Sequence, residues 1–394
     1  MMPKITKEAS FVIFLCLGFL LGFFSNQLFN EKIYSDMYTY NGINLSLVGQ
    51  VWQKVNENFV FQENIDSEAM VYGAIKGFVE SLDDPYTVFF DPEEAKDFQE
   101  DIEGSFEGVG IQFAERDGKM KIIAPIKNTP AEKAGIRAGD YIIKVDEESV
   151  DNMSSEELVS KIRGEKGTSV VLTIQRDNEE KDFEITRDMI EVPASELSFI
   201  EENGKKIAYL QLFHFSENTS SEFNKEANEI LQSNAESIIL DLRNNPGGLV
   251  KEAQSIASWF IEKGYPVVIQ KDKNGDMYKT LSSGPGTLES YPVAILINEG
   301  TASASEILVG ALRDYLDKVV IIGENSFGKG LMQGVFYMDD GSILKMTTDE
   351  WYTPNMGIIN EKGIEPDIAV EMTNEDYESE NDPQLKRALE FLSQ

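Results

Sequence analysis

The sequence predicts a layered α/β protein that carries a smaller β-rich domain and, before it, a helical region. Three observations lead there. From Ile207 onward, short apolar runs that read as strands alternate with amphipathic stretches of helical spacing. Between Glu103 and Asp188, short strand-like runs are punctuated by Gly and Asn turns. Between Leu45 and Leu82, apolar residues recur at the helical period. At 394 residues the chain is long enough for two or three domains with cores of their own.

Composition narrows the function. Asp and Glu total 69 against 35 Lys and Arg, a net charge of −34. That balance argues against nucleic acid and against tight adhesion to anionic lipid, and it suits an exported soluble domain or a salt-rich habitat. With one cysteine (Cys16) and one histidine (His214), there is no intramolecular disulfide and no zinc cluster.

The first element is apolar. Phe11–Phe24 is uninterrupted apolar residues and glycine behind Lys4 and Lys7, with no small-residue cleavage site after it. It is short for a span, and its length also fits a signal-peptide core. The expectation is an uncleaved anchor, with the N-terminus cytoplasmic and the rest outside, or a secreted chain if the segment is removed. Leu45–Phe61 then reads as a helix with Leu47, Val51 and Val55 on one face, and Ser67–Leu82 as a second with Met70, Ala74, Phe78 and Leu82. Asp91, Pro92 and Glu94 read as cap, N1 proline and capping-box acid of a third. These helices are assigned packing on the core or a homo-oligomer contact, and no chemistry.

The β-rich stretch begins at Gly108-Val109-Gly110-Ile111, ahead of a strand Ile111–Ala114. Pro130–Gly135 reads as a short helix stopped by Gly135, followed by a turn and a strand Tyr141–Val145. Ser154 with Glu157 caps a helix running to Arg163, with Leu158 and Ile162 buried. Val170–Gln175 and Phe183–Thr186 form a closing hairpin across Asn178, and Glu191–Glu196 links to the core.

The core carries the chemistry. Thr301, Ser303 and Ser305 stand at a corner between the strand-like run Val293–Asn298 and a helix holding Ile307, Leu308, Ala311 and Leu312. N–H groups at a helix start are unpaired and can steady a developing oxyanion in front of a serine. The serine needs a base. His214 sits between Phe213 and Phe215 and reads as a packed or edge residue rather than a base. Lys329, flanked by Gly328 and Gly330 after the strand Val319–Ile322, becomes a base only if burial lowers its pKa. From the residues alone, Ser303 is equally a helix-capping hydroxyl and Lys329 a loop lysine. The turn Asp241–Gly248 follows one strand and precedes a helix, so it is either a plain turn or an oxyanion donor.

Resemblance separates these readings. T-A-S-A-S-E-I, L-R-D-Y and F-G-K-G-L-M-Q resemble the active-site signature of the C-terminal processing serine peptidases, the tail-specific proteases. Thr301 replaces the first serine of the signature. The resemblance implies Ser303 as nucleophile, Lys329 as base, Gln333 as the residue that orients the lysine, and Asp314 in a supporting role. D-L-R-x-N-x-G-G at Asp241–Gly248 implies an oxyanion hole from Gly247, or its neighbour Gly248, with Ala304. G-V-G-I and the pattern after it resemble a PDZ domain. That implies capture of a peptide's terminal carboxylate by Gly108, Val109, Gly110 and Ile111.

The implied fold is a crotonase/ClpP-like layered α/β protease core with a PDZ-like β-rich domain and an N-terminal helical region. Residues 1–30 would be the cytoplasmic N-terminus and anchor, 31–102 the helical region and 103–188 the PDZ-like domain. Residues 189–372 would be the protease core, and 373–394 an acidic linker and C-terminal helix. The expected protein is a membrane-anchored Ser–Lys endopeptidase without metal or cofactor. It would act on extracytoplasmic proteins with free, fairly apolar C-termini. A catalytically silent PDZ-type adaptor is the alternative, and an acyl-CoA enzyme a more distant one.

Overall fold

The computed structural model describes residues 39–40 and 43–393, apart from 117–118, 127, 138, 152, 154, 177–178, 374–375, 377–378 and 380. The apolar run Phe11–Phe24 and the capping position Ser154 therefore lie outside the described residues. Among those described, no helix is long and apolar enough to cross a membrane.

The chain divides into two units, Met1–Ile75 and Lys76–Gln394. In the first, α1 (Ser46–Asn58) keeps its apolar stripe in solvent: Leu47 is 66% exposed and Val51 56%. Helix α2 (Ser67–Glu80) begins in this unit, and Val79 is its one buried residue.

The second unit opens with the turn around Pro85 and strand β1 (Val88–Phe90), followed by α3 (Pro92–Glu103). The capping box expected at Asp91 is present. The Asp91 carboxylate accepts the N–H groups of Glu93 and Glu94, and the Glu94 side chain accepts that of Asp91. Gly104 ends the helix at φ 73°, a conformation that suits glycine.

The β-rich domain comprises β2 (Ser105–Gly108), β3 (Ile111–Arg116), β4 (Lys119–Pro125), α4 (Pro130–Ala134), β5 (Tyr141–Val145), β6 (Glu148–Ser149), α5 (Ser155–Ile162), β7 (Ser169–Arg176), β8 (Glu179–Thr186) and β9 (Asp188–Glu191). Its main sheet runs β8-β7-β5-β4-β3, with β6 on β5, so β3 is an open edge. Val109, Ile122, Leu158, Leu172 and Ile174 are fully buried in a core of its own. Strand β2 pairs with β9, so the chain enters and leaves the domain through one antiparallel ladder.

The remaining elements are β10 (Ser195–Glu202), β11 (Lys205–Leu212), α6 (Thr219–Gln232), β12 (Ser237–Asp241), α7 (Val250–Phe260), β13 (Pro266–Asp272), β14 (Met277–Leu281), β15 (Val293–Ile297), α8 (Ala304–Tyr315), β16 (Val319–Gly323), β17 (Leu331–Tyr337), β18 (Ile343–Tyr352), β19 (Ile368–Ala369) and α9 (Pro383–Leu392). One sheet has the order β10-β11-β12-β15-β16-β19 and is parallel from β11 onward. Alternate residues of its strands point to opposite faces. Leu210, Ile238, Leu240, Val293 and Ile295 pack with helices α6 to α8. Ile207, Ile239, Ala294, Leu296 and Ile322 pack with Ala388 and Leu392 of α9. Burial on both faces is why these strands read as unbroken apolar runs. A second, antiparallel sheet has the order β14-β13-β18-β17, with β1 added on β18.

Several strands do not appear in the sequence reading. Strand β18 runs unbroken over 10 residues. Strand β17, which begins directly after Gly330, also carries no clear apolar alternation.

Candidate active site

Strand β15 ends at Ile297, and the chain turns sharply before α8. Ser303 is the N-cap of that helix, at φ 55° and ψ −114°. A non-glycine residue there costs about 1–3 kcal/mol, so its surroundings must hold it. They do. The Ala302 N–H donates to Asn245 O at 3.0 Å, and the buried Thr301 hydroxyl donates to Leu242 O at 2.8 Å. The Ser303 N–H donates to Glu306 Oε2 at 2.8 Å. Ser303 is left half-buried. Ser305 is fully buried and its hydroxyl donates to Asn245 O at 3.0 Å, which occupies it structurally.

The turn Asp241–Gly248 lies against this corner. Gly247 adopts φ 97°, and a Cβ on it would come within 2.7 Å of Ala302 O and 2.8 Å of Ala304 N. Only glycine allows that approach. The Gly247 N–H donates to Asn245 Oδ1 at 3.0 Å. Among the described residues the Gly248 N–H has no such partner. Ala304, the first residue of α8, has an N–H that no helical carbonyl can reach. Arg243 anchors the turn from behind, with Nη2 donating to Asp241 at 2.6 Å and to Asp382 at 2.9 Å.

Lys329 lies between β16 and β17. Its backbone is fixed on both sides: the N–H donates to Glu306 Oε2 at 2.9 Å, and its carbonyl accepts from Trp351 Nε1 at 2.9 Å. A Cβ on Gly330 would meet Asn360 N at 2.5 Å, so the loop is pressed against the 360 region. The side chain is half-buried, with Nζ 4.6 Å from the centre of the Tyr86 ring. Burial holds its pKa below the ordinary lysine value. The nearby Lys345 adds to that, while Asp84 and Glu306 work against it.

Glu306 joins the two segments. It is fully buried, and besides the N–H groups of Ser303 and Lys329 it accepts the Gly328 N–H at 2.7 Å and the Ser326 hydroxyl at 2.6 Å. The spacing Ser303-x-x-Glu306, a capping-box pattern, is its signal in the sequence.

One cavity of about 710 Å³ is lined by Ser303, Lys329, Gln333, Gly247 and Gly248. Phe215, Leu249, Val250, Leu331 and Met332 give it apolar walls, and Phe106 and Val192 carry it to the stalk of the β-rich domain. Gln333 follows a bulge in β17, and its Nε2 reaches Thr347 Oγ1 at 3.4 Å rather than Lys329. No hydrogen bond joins Lys329 Nζ to Ser303 among the described residues. Asp314 lies outside the cavity, in the last turn of α8, where it accepts the Asn355 N–H at 2.8 Å. His214 is half-buried and lines the cavity, and burial lowers its pKa against the pull of Glu222 and Asp101. The four residues Gly108 to Ile111 sit apart, at the head of edge strand β3. There Val109 O accepts from the Ala131 N–H and Gly110 O from the Ile126 N–H, each at 2.9 Å.

Residues 206–370 match the model of peptidase family S41, and residues 108–186 match a PDZ domain. Residues 26–94 match the N-terminal domain of the activating protease CtpB. The carboxy-terminal processing protease CtpB of Bacillus subtilis (strain 168) is 36% identical over 344 residues, 87% of this chain and 70% of the relative. The chain belongs to the S41 peptidases. A second relative from the same strain, the carboxy-terminal processing protease CtpA, is 41% identical over 313 residues, 79% of this chain and 66% of the relative. Among solved structures, the photosystem II D1 C-terminal processing protease is 30% identical with a TM-score of 0.51, covering 83% of this chain and 88% of that one. An S41 protease from Bacteroides fragilis NCTC 9343 has a TM-score of 0.60 over 90% of this chain and 98% of its own, and at 17% identity shows the fold alone. This S41 peptidase is thus a serine peptidase with a PDZ domain. Besides Glu306, the sequence reading leaves out Tyr86 and Lys345, which reach Lys329 from distant segments.

Proposed function

We propose that this peptidase cleaves with a Ser303–Lys329 pair near the C-termini of proteins outside the cytoplasm. One observation supports it above the others: nucleophile and lysine share a cavity, and Glu306 ties their backbones together. In this reading neutral Lys329 takes the Ser303 hydroxyl proton as Oγ attacks the scissile carbonyl. The Ala304 N–H, with that of Gly248, steadies the tetrahedral oxyanion. The C–N bond then breaks, the leaving amine takes the proton back from Lys329, and an acyl-enzyme remains. Water, deprotonated by the same lysine, attacks the acyl carbon; the bond to Ser303 Oγ breaks, Oγ takes the proton back from the lysine, and the new C-terminus is released. Gln333 orients the lysine when the side chain leaves Tyr86. Asp314 supports the site at a distance, through the turn at Asn355.

The substrate's own C-terminus would pair as an added strand on β3, with its carboxylate on the N–H groups of the Gly108–Ile111 loop. The apolar cavity walls favour apolar side chains at the cut. Phe11–Phe24, behind Lys4 and Lys7, supports a single-pass anchor with the catalytic part outside the cell. The deciding experiment incubates the chain with an unstructured peptide and reads products by mass spectrometry. Cleavage by the wild type, and none by Ser303→Ala or Lys329→Arg, is the expected result. Arginine keeps the charge but cannot act as a base. A substantially active Lys329→Arg enzyme would overturn the mechanism and return His214 to consideration.

A further inference from the structure

A lysine base has to be neutral before it can act, and at Lys329 burial comes first and the neighbouring Lys345 second in favouring that state. Lys345 lies on β18, directly opposite Val335 of β17, just as Thr347 lies opposite Gln333. This register puts Lys345, Val335 and Gln333 along the same cavity as Ser303 and Lys329. Lys345 also lines an adjoining cavity of about 1000 Å³ beside α3. Its ammonium stands 5.5 Å from the ring centre of Phe90 and 5.6 Å from that of Phe98. The two rings are themselves stacked at 4.8 Å. Aromatic faces support a cation but do not cancel its charge. Among the described residues, no carboxylate is within ion-pair distance of Lys345 or Lys329.

We propose that Lys345 acts through Lys329, as a second cation in the catalytic cavity whose charge favours the neutral amine that proton abstraction from Ser303 requires. This rests on the Ser303–Lys329 reading above. The groups that face Lys329 come from three elements: Asp84 and Tyr86 from the turn before β1, Glu306 from α8, and Lys345 from β18. Asp84 and Glu306 favour the ammonium. Both carboxylates are already engaged, Asp84 by the Thr87 hydroxyl at 2.6 Å and Glu306 by its backbone and hydroxyl donors. Lys345 is the charge that opposes them, and burial lowers its own proton affinity as well. The adjoining cavity around Lys345 is lined by the acids Glu80, Asp83, Asp84, Glu94, Asp97 and Asp101 and by Lys76, and among the described residues none of these acids is within ion-pair distance of Lys345. Two amines held in one poorly solvated space do not both keep their protons cheaply, and this is a known route to a nucleophilic or basic lysine.

The test is the pH profile of kcat/KM for wild type, Lys345→Arg and Lys345→Met, with Lys329→Arg alongside. Removing the charge should move the acid limb up by about one pH unit in Lys345→Met. Lys345→Arg, which keeps the charge, should leave the limb in place. If Lys345→Met does not fold, as judged by circular dichroism, Lys345→Gln takes its place. An acid limb that stays put in the neutral variant overturns the proposal, and so does a raised KM with an unmoved limb, which would mark Lys345 as a substrate contact. Activity in Lys329→Arg would instead remove the base reading itself, so the two failures are distinct.

Discussion

Ser303 and Lys329 are joined through their backbones: both N–H groups end on the same carboxylate oxygen, Oε2 of Glu306, at 2.8 and 2.9 Å. One buried side chain thus ties the corner that carries Ser303 to the loop that carries Lys329. The Lys329 backbone is held at both ends, its N–H by Glu306 and its carbonyl by Trp351.

Removing that carboxylate should damage stability and rate together. Glu306→Ala leaves the N–H groups of Ser303, Gly328 and Lys329 and the Ser326 hydroxyl without their acceptor in a buried place. Each such loss costs about 1–3 kcal/mol. Urea denaturation should show a loss of about 3 kcal/mol or more. Glu306→Gln keeps the shape but offers one acceptor oxygen, so it should fold and lose about 100-fold in kcat as the two segments shift. A Gln variant with wild-type kcat would show that the clamp does not position the pair.

The backbone of Ser303 supports a second prediction. At φ 55° and ψ −114° it stores strain that glycine does not feel. Ser303→Gly should therefore be inactive yet more stable, by about 1 kcal/mol in denaturant titrations. Ser303→Ala, which keeps the strain, should be inactive at near wild-type stability. Equal stabilities for the glycine and alanine variants would show that the corner is relaxed in solution.

These residues also mark what the sequence made legible. The strand–corner–helix order around Ser303, the cap at Asp91 and the stop at Gly135 rest on local chemistry, and local chemistry is written in adjacent letters. The alternating buried strands were legible because both faces are covered. Strands β14 and β17 were not, because they are half-exposed and mostly polar or mixed. Tyr86 and Lys345 were invisible as site residues for another reason. They reach Lys329 only because β1 pairs with β18 and β18 with β17, and register between distant strands is a tertiary fact. Glu306 stood in plain view, but a capping-box glutamate does not announce that its carboxylate will also serve a loop more than twenty positions away.

Glu226 should make stability depend on pH. It lines a cavity of about 730 Å³ between the PDZ domain and the core, together with Thr129, Lys166 and Ser195. Burial, with the charges of Glu222, Glu229 and Glu196, pushes its pKa from 4.5 to about 7, against the Ser195 hydroxyl. The folded state then holds a proton that the unfolded state has lost between pH 4.5 and about 7. The group's contribution is full below the unfolded pKa and is lost as pH rises through the folded one. Glu226→Gln should thus be more stable than wild type at about pH 8, with the gap closing towards about pH 5. Thermal melts across that range decide it; a gap independent of pH would assign the effect to packing.

Substrate capture by the PDZ domain predicts a dependence on the free carboxylate. In the Gly108–Ile111 loop, the carbonyls of Val109 and Gly110 are engaged internally, and among the described residues their N–H groups have no backbone acceptor. Amidating the C-terminus of a test peptide removes the charge they would hold, so kcat/KM should fall about tenfold or more, chiefly through KM. Matching rates for acid and amide would place recognition elsewhere.

Tyr86 gives a prediction of opposite sign to Lys345. Its ring lies 4.6 Å from Lys329 Nζ, and the face of a phenol attracts an ammonium but not a neutral amine. The contact thus favours the ammonium form of Lys329 over the neutral amine. A partly buried cation–π pair is worth about 0.5–2 kcal/mol, which corresponds to about half to one and a half pH units in the proton affinity of the lysine. In Tyr86→Leu the ammonium loses that support, and the acid limb of kcat/KM should move down. Tyr86→Phe keeps the aromatic face and should leave the limb nearly where it is. Rate profiles for the two variants against wild type separate an electrostatic contact from a steric one. A downward shift in both would make the hydroxyl responsible, and no shift in either would mean that Lys329 leaves Tyr86 before it titrates.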